Sequence, residues 1–152
     1  MRMWIGIFLL AISLHAGATE ILKPNNVEHL LADKPRLIVL WSLDCPPCYK
    51  ELAMLQQLLL NHPKLPITLI ATDDDSSRYP EVESMHQQLV GEHLDKWVYA
   101  DLLGSQLRYA IDPTWSGVLP RSYFVEADGK RAGHSGVLTP EHVLTWFLHT
   151  QK

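Results

Sequence analysis

The two cysteines of this 152-residue chain stand together as Cys45-Pro46-Pro47-Cys48, at the point where the apolar run Leu37-Ile38-Val39-Leu40-Trp41 gives way to a helical pattern opening near Pro46. A C-x-x-C pair between a strand and a helix reads as a redox dithiol. The helix N-terminus supplies the physical reason, since its unpaired N–H groups and positive dipole end stabilise a thiolate. Zinc would need two further ligands, yet no second C-x-x-C follows, and His86/His93 and His142/His149 are each seven residues apart. A structural staple across so short a loop removes little unfolded-state entropy. The pair is better placed to react than to brace the fold.

These residues need a scaffold, and hydrophobic periodicity outlines one. Val27 to Leu31 suggests a short helix, Lys34-Pro35 a break, and Leu37 to Trp41 a strand buried on both faces. Pro46 to Leu60 recurs as a helix through Leu52, Leu55, Leu58 and Leu59, and His62-Pro63 stops it. Ile67 to Ala71 reads as a second buried strand and Glu81 to Val90 as a helix ending at Gly91. Trp97-Val98-Tyr99 reads as a short extended segment, and Ser105 to Ala110 as a short helix. Ser122 to Val125 and Lys130 to Ser135 form a hairpin around Asp128-Gly129. Thr139-Pro140 opens a last helix whose apolar stripe is Val143, Leu144, Phe147 and Leu148. The expectation is an α/β fold with a central mixed β-sheet flanked by helices on both faces.

At the start of the chain, Arg2, the apolar stretch Trp4 to Leu14 and the small-x-small Ala16-Gly17-Ala18 read as a cleavable signal peptide over residues 1–18, leaving Thr19 first in a single domain of residues 19–152. The apolar stretch is shorter than the roughly 20 residues of a spanning helix. An oxidising compartment, most simply a bacterial periplasm, follows. The net charge of −4 argues against nucleic acid or an anionic membrane as partner. Asp73-Asp74-Asp75 lacks calcium-loop spacing and is expected to be a solvated turn.

The segments Trp41-Ser42-Leu43-Asp44-Cys45-Pro46-Pro47-Cys48-Tyr49-Lys50-Glu51, Gly117-Val118-Leu119-Pro120, Phe124-Val125-Glu126-Ala127-Asp128-Gly129-Lys130 and His134-Ser135-Gly136, in that order, resemble the thioredoxin superfamily. Within it they resemble the TlpA-like extracytoplasmic thiol-disulfide oxidoreductases, over nearly all of the chain after the leader. The resemblance implies a thioredoxin-like fold, Cys45 as the nucleophile and Cys48 as the resolving thiol. It implies a cis bond before Pro120 and a Leu119 backbone open to an extended substrate, with Trp41, Leu119, Pro120 and Arg121 on the substrate side. Glu51 matches the family's acid near the dithiol. It is either a partly buried carboxyl exchanging protons with Cys48 or a surface glutamate suiting the helix dipole. No cofactor is implied beyond the redox-active disulfide Cys45–Cys48, and no metal.

The chain also departs from the family pattern. Asp44 replaces a frequent aromatic residue and would oppose thiolate formation at Cys45. Ala53 stands where many members have a kinking proline. Arg121 replaces a common Thr, either as a cation toward substrate or thiolate or as a solvated side chain. Trp115 is read as anchoring its loop to the core. Pro46 and Pro47 remove both N–H donors between the cysteines, so the couple is expected to be reducing. The resulting expectation is a monomeric periplasmic disulfide reductase fed by a membrane thiol-disulfide transfer protein. Its substrates are cysteine-containing proteins, with cytochrome c maturation or copper-site thiols as the implied classes. The alternatives are a copper metallochaperone using Cys45, Cys48 and His134, or a thiol oxidase or isomerase.

Overall fold

A computed structural model describes residues 17–32 and 34–150. The basic and apolar parts of the expected leader lie outside the described residues. Its elements run β1 (Glu20–Leu22), α1 (Pro24–Ala32), β2 (Arg36–Trp41), α2 (Pro46–Asn61), β3 (Ile67–Ala71), α3 (Tyr79–Gln87), β4 (Leu94–Tyr99), α4 (Gly104–Ile111), β5 (Arg121–Val125), β6 (Arg131–Ser135) and α5 (Pro140–Thr150). The six strands form one sheet in the order β1-β4-β3-β2-β5-β6. β1 to β4 pair in parallel, and β5 and β6 add antiparallel.

Strand alternation divides the core in two. On one face Leu37, Val39 and Trp41 of β2, Ile67, Leu69 and Ala71 of β3, and Phe124 of β5 pack with Cys45, Cys48, Leu52, Leu55 and Leu59 of the redox loop and α2 and with Val143 and Trp146 of α5. On the other face Ile38 and Leu40, Ile70, Tyr123 and Val125 pack with Val27, Leu30 and Leu31 of α1 and Leu107 and Ile111 of α4. The mixed sheet covered on both sides is the expected architecture, and the continuous apolar run of β2 is buried on both sides.

Three local expectations are corrected. β1 was not anticipated, because three residues carry no periodicity; tertiary pairing of Glu20, Ile21 and Leu22 with Trp97, Val98 and Tyr99 makes the strand. In α5, Leu148 faces solvent while Trp146, outside the expected stripe, is buried; Thr139 does accept a hydrogen bond at the N-terminus, from the His142 N–H (3.3 Å). The triple aspartate is not a solvated turn. Buried Asp73 accepts from the Leu43 N–H and the Ser42 hydroxyl (both 3.1 Å), Asp74 from the Gly104 N–H (2.9 Å), and Asp75 from the Ser77 N–H (2.9 Å) at a 3-10 turn over Ser76–Arg78. The hairpin turn holds as expected, with Gly129 at φ +80°, a conformation that favours glycine.

Candidate functional site

Cys45 is the residue before α2 and Pro46 its first helical residue, so the helix begins inside the cysteine motif. A proline at that position forfeits an N–H that the helix leaves unpaired anyway. The cysteines form a disulfide with Cα atoms 5.3 Å apart. Cys48 is fully buried while Cys45 keeps a residual 8 % exposure. The two residues are therefore inequivalent: Cys45 is the more exposed of the pair, and Cys48 faces the interior.

One helical turn beyond Cys48, on the same face of α2, lies Glu51. Its carboxyl is fully buried, which rules out the reading of a surface glutamate. Oε1 accepts from the Ser122 hydroxyl (3.0 Å), while Oε2 is buried without a hydrogen-bond partner. Desolvation pushes its pKa up to about 7, against smaller opposing effects of the Ser122 hydroxyl and the Leu138 backbone, the latter short of a hydrogen bond to Oε2. Glu51 thus titrates close to neutrality. Ser122 carried no expectation; its signal was its place two residues after Pro120 in an alternating strand, which turns it to the cysteine side of the sheet.

The same alternation corrects Arg121. It points to the opposite face, where its guanidinium lies over the Tyr123 ring (4.7 Å) and reaches Asp112 (3.3 Å) and the Ser135 hydroxyl (3.0 Å). Asp112 also accepts from the Tyr123 hydroxyl (2.8 Å) and is held low, at about 2, by its hydrogen bonds against the opposing pull of burial. Arg121 is a brace between the Asp112–Pro120 loop and the hairpin, not a free cation beside the dithiol. Trp41 is corrected too, since its fully buried indole offers substrate no surface. Its Nε1–H donates to His86 Nε2 (3.1 Å).

The Leu119–Pro120 peptide bond is cis, as expected. Leu40 pairs with Arg121, so the register carried one step on sets Pro120 opposite Trp41, at the end of β2 that leads into the cysteine motif. Leu119 is partly exposed beside it and touches both halves of the core. Trp115 anchors the preceding loop: it is buried and donates to the Val118 carbonyl (2.9 Å). Val118 is 56 % exposed, leaving an apolar side chain on the rim.

Asp44 does not stand as an unopposed anion. Arg78 binds it through two nitrogens (2.6 and 3.2 Å), and this hydrogen-bonded pair holds the carboxyl below its ordinary value. The same guanidinium lies 3.7 Å from Asp73 and 3.6 Å from Glu81. The field that Asp44 would exert on Cys45 is offset by this cation. Tyr49 donates to the Leu43 carbonyl (2.8 Å), tying α2 back to the loop.

Neither family models nor curated proteins give a match to the chain. Solved structures do. The chain is similar to MTB DsbF (20% identity, TM-score 0.59, covering 80% of this chain and 84% of that one). It is similar to a secreted Mycobacterium tuberculosis disulfide oxidoreductase described as homologous to E. coli DsbE (18% identity, TM-score 0.58, 80% and 85% covered). StoA from Bacillus subtilis aligns at 20% identity and TM-score 0.52 (76% and 84% covered). With its sheet order, its cysteine pair at the start of α2 and its cis proline, the chain has the thioredoxin-like fold that these structures share.

Proposed function

We propose that the protein is an extracytoplasmic thiol-disulfide oxidoreductase that reduces disulfides in cysteine-containing proteins. The observation that carries this reading is the inequivalence of the cysteines above a buried acid: Cys45 the more exposed of the two, Cys48 fully buried, and Glu51 one turn along α2 with a pKa near 7. In the reduced protein, Cys45 thiolate attacks a substrate disulfide, forming a mixed disulfide and releasing one substrate thiolate. Cys48 gives its proton to Glu51 and attacks Cys45 Sγ; the second substrate thiolate leaves, and Cys45–Cys48 is oxidised. Two electrons pass to the substrate, and the proton on Glu51 is returned to solvent or to the departing thiolate. The Leu119 backbone at the rim supports the pairing of an extended substrate segment.

The similarity to a structure described as secreted supports a periplasmic or secreted location, and removal of residues 1–18 rests on the pattern of the leader. The reducing direction rests on the prolines, which leave Cys45 sulfur without the two intervening N–H donors. A membrane thiol-disulfide transfer protein would regenerate the dithiol. Cytochrome c cysteines awaiting haem and copper-site thiols are the candidate substrate classes. The test is the equilibrium reduction potential against a glutathione or dithiothreitol series. A value below about −200 mV is expected, and one near the roughly −120 mV of DsbA would overturn the reductase direction. A Cys48→Ser variant is expected to trap substrates through Cys45, and a dithiol that reduces neither insulin nor glutathione disulfide would overturn the enzyme itself.

A further inference from the structure

The hydrogen-bond chain that ends on Trp41 begins at Thr19, where two independent observations meet. The sequence pattern Ala16-Gly17-Ala18 puts a scissile bond before Thr19. The fold puts the Thr19 nitrogen 3.2 Å from Glu83 Oε2 and its hydroxyl 2.8 Å from Nδ1 of His86, which is fully buried. Gly17 and Ala18 are exposed, and β1 starts only at Glu20, so cutting this bond unpairs no strand. The tautomer follows from the partners. Trp41 Nε1–H can only donate, so His86 Nε2 accepts and its Nδ1–H donates to Thr19 Oγ1.

We propose that cleavage of the Ala18–Thr19 bond completes the scaffold under the dithiol, the α-ammonium freed on Thr19 pairing with Glu83 and fixing the Thr19–His86–Trp41 chain. The step is a hydrolysis by a signal-peptidase-class enzyme: water adds across the bond, Ala18 leaves as a carboxylate, and the Thr19 amine takes up a proton. A single peptide N–H becomes a charged group with three donors facing the same carboxylate. The charged neighbours are Glu83 on α3 and the buried Lys96 on β4, both felt by the ring of His86. Only this bond serves. Cleavage one residue earlier moves the new charge off the Thr19 nitrogen, and one residue later removes the Thr19 hydroxyl with it. The inference rests on the leader being removed, and its test makes no use of redox activity, so the two can fail separately.

The full chain is exported from a bacterial host and its intact mass measured. A first residue of Thr19 is expected. Any other first residue overturns the inference and leaves the dithiol reading standing, whereas retention of residues 1–18 also removes the processed-protein reading. Two forms, starting at Thr19 and at Ala16, are then compared with and without Glu83→Gln. The Thr19 form is expected to melt about 2–4 °C higher, and the gap to close in Glu83→Gln. Its α-amine is expected to titrate above the ordinary range of about 7.7–8.0 and to return to it in Glu83→Gln. Equal melting of the two Glu83 forms, or an α-amine indifferent to Glu83→Gln, overturns the inference.

Discussion

Beyond the two cysteines, Glu51 is the residue whose substitution bears most directly on the redox step. Among the described residues no cation pairs with its carboxyl and one oxygen is without a partner, so burial holds it protonated toward neutrality. Glu51→Gln keeps the shape and the bond to Ser122 but cannot accept a proton. Resolution of the mixed disulfide by Cys48 is expected to slow by about 10²-fold, read by quenched-flow trapping, with the inflection near pH 7 gone from its pH profile. Ser122→Ala removes the hydrogen bond that favours the charged form, so the inflection is expected to move upward. Arg78→Gln strips the counter-ion from Asp44; the Cys45 thiolate pKa is then expected to rise, and the measured potential to become more negative.

At the level of elements, two braces hold the loops that meet at the dithiol. Asp73, after β3, receives the Leu43 N–H and the Ser42 hydroxyl, which ties the redox loop to the neighbouring strand. Asp73→Ala leaves the half-buried Leu43 N–H without this acceptor and is expected to cost about 1 kcal/mol in urea unfolding. The second brace runs from the loop before Pro120 through Asp112, Arg121 and Tyr123 to the hairpin. A Cβ at Gly133 would collide with the Arg121 guanidinium. Gly133→Val is therefore expected to displace the Arg121 guanidinium from Asp112, with the Asp112 carboxyl rising from about 2 in an NMR titration.

Across the whole molecule, two buried groups on the cysteine-bearing side of the sheet titrate in opposite senses. Glu51 has a folded pKa raised from 4.5 to about 7. Folded protein then binds more protons than unfolded, and stability falls as pH rises from about 4.5 to 7. His86 is lowered from 6.5 to about 4, chiefly by burial and next by the positive charge of Lys96, with Glu83 opposing. There the unfolded chain takes up the proton first, so stability is present above pH 6.5 and is lost as pH falls toward 4. Each effect is on the order of 3 kcal/mol, and between about pH 4.5 and 6.5 they offset one another. Wild type is expected to show a nearly flat stability profile in that window. Glu51→Gln is expected to expose a profile rising with pH, and His86→Gln one that falls. Parallel slopes in the two variants would contradict the assignment.

Much of this arrangement is written locally in the sequence. The helix that opens at Pro46, the continuous apolar strand before it, the Asp128-Gly129 hairpin and the Thr139 cap are decided by residues close together in the chain, and each stands where periodicity and turn chemistry set it. The cysteine spacing likewise fixes the chemistry that the motif can attempt. The tertiary structure decided what lies far apart: that Glu51 is buried beneath Ser122, 71 positions away, that Asp44 is matched by Arg78 and Trp41 by His86, and that β1 exists at all. It also turned Arg121 away from the site, although Arg121 directly follows Pro120 in the chain. The physical reason is that a sequence pattern records which side chains share a face, whereas the protonation, exposure and charge of a group depend on which other face is brought against it.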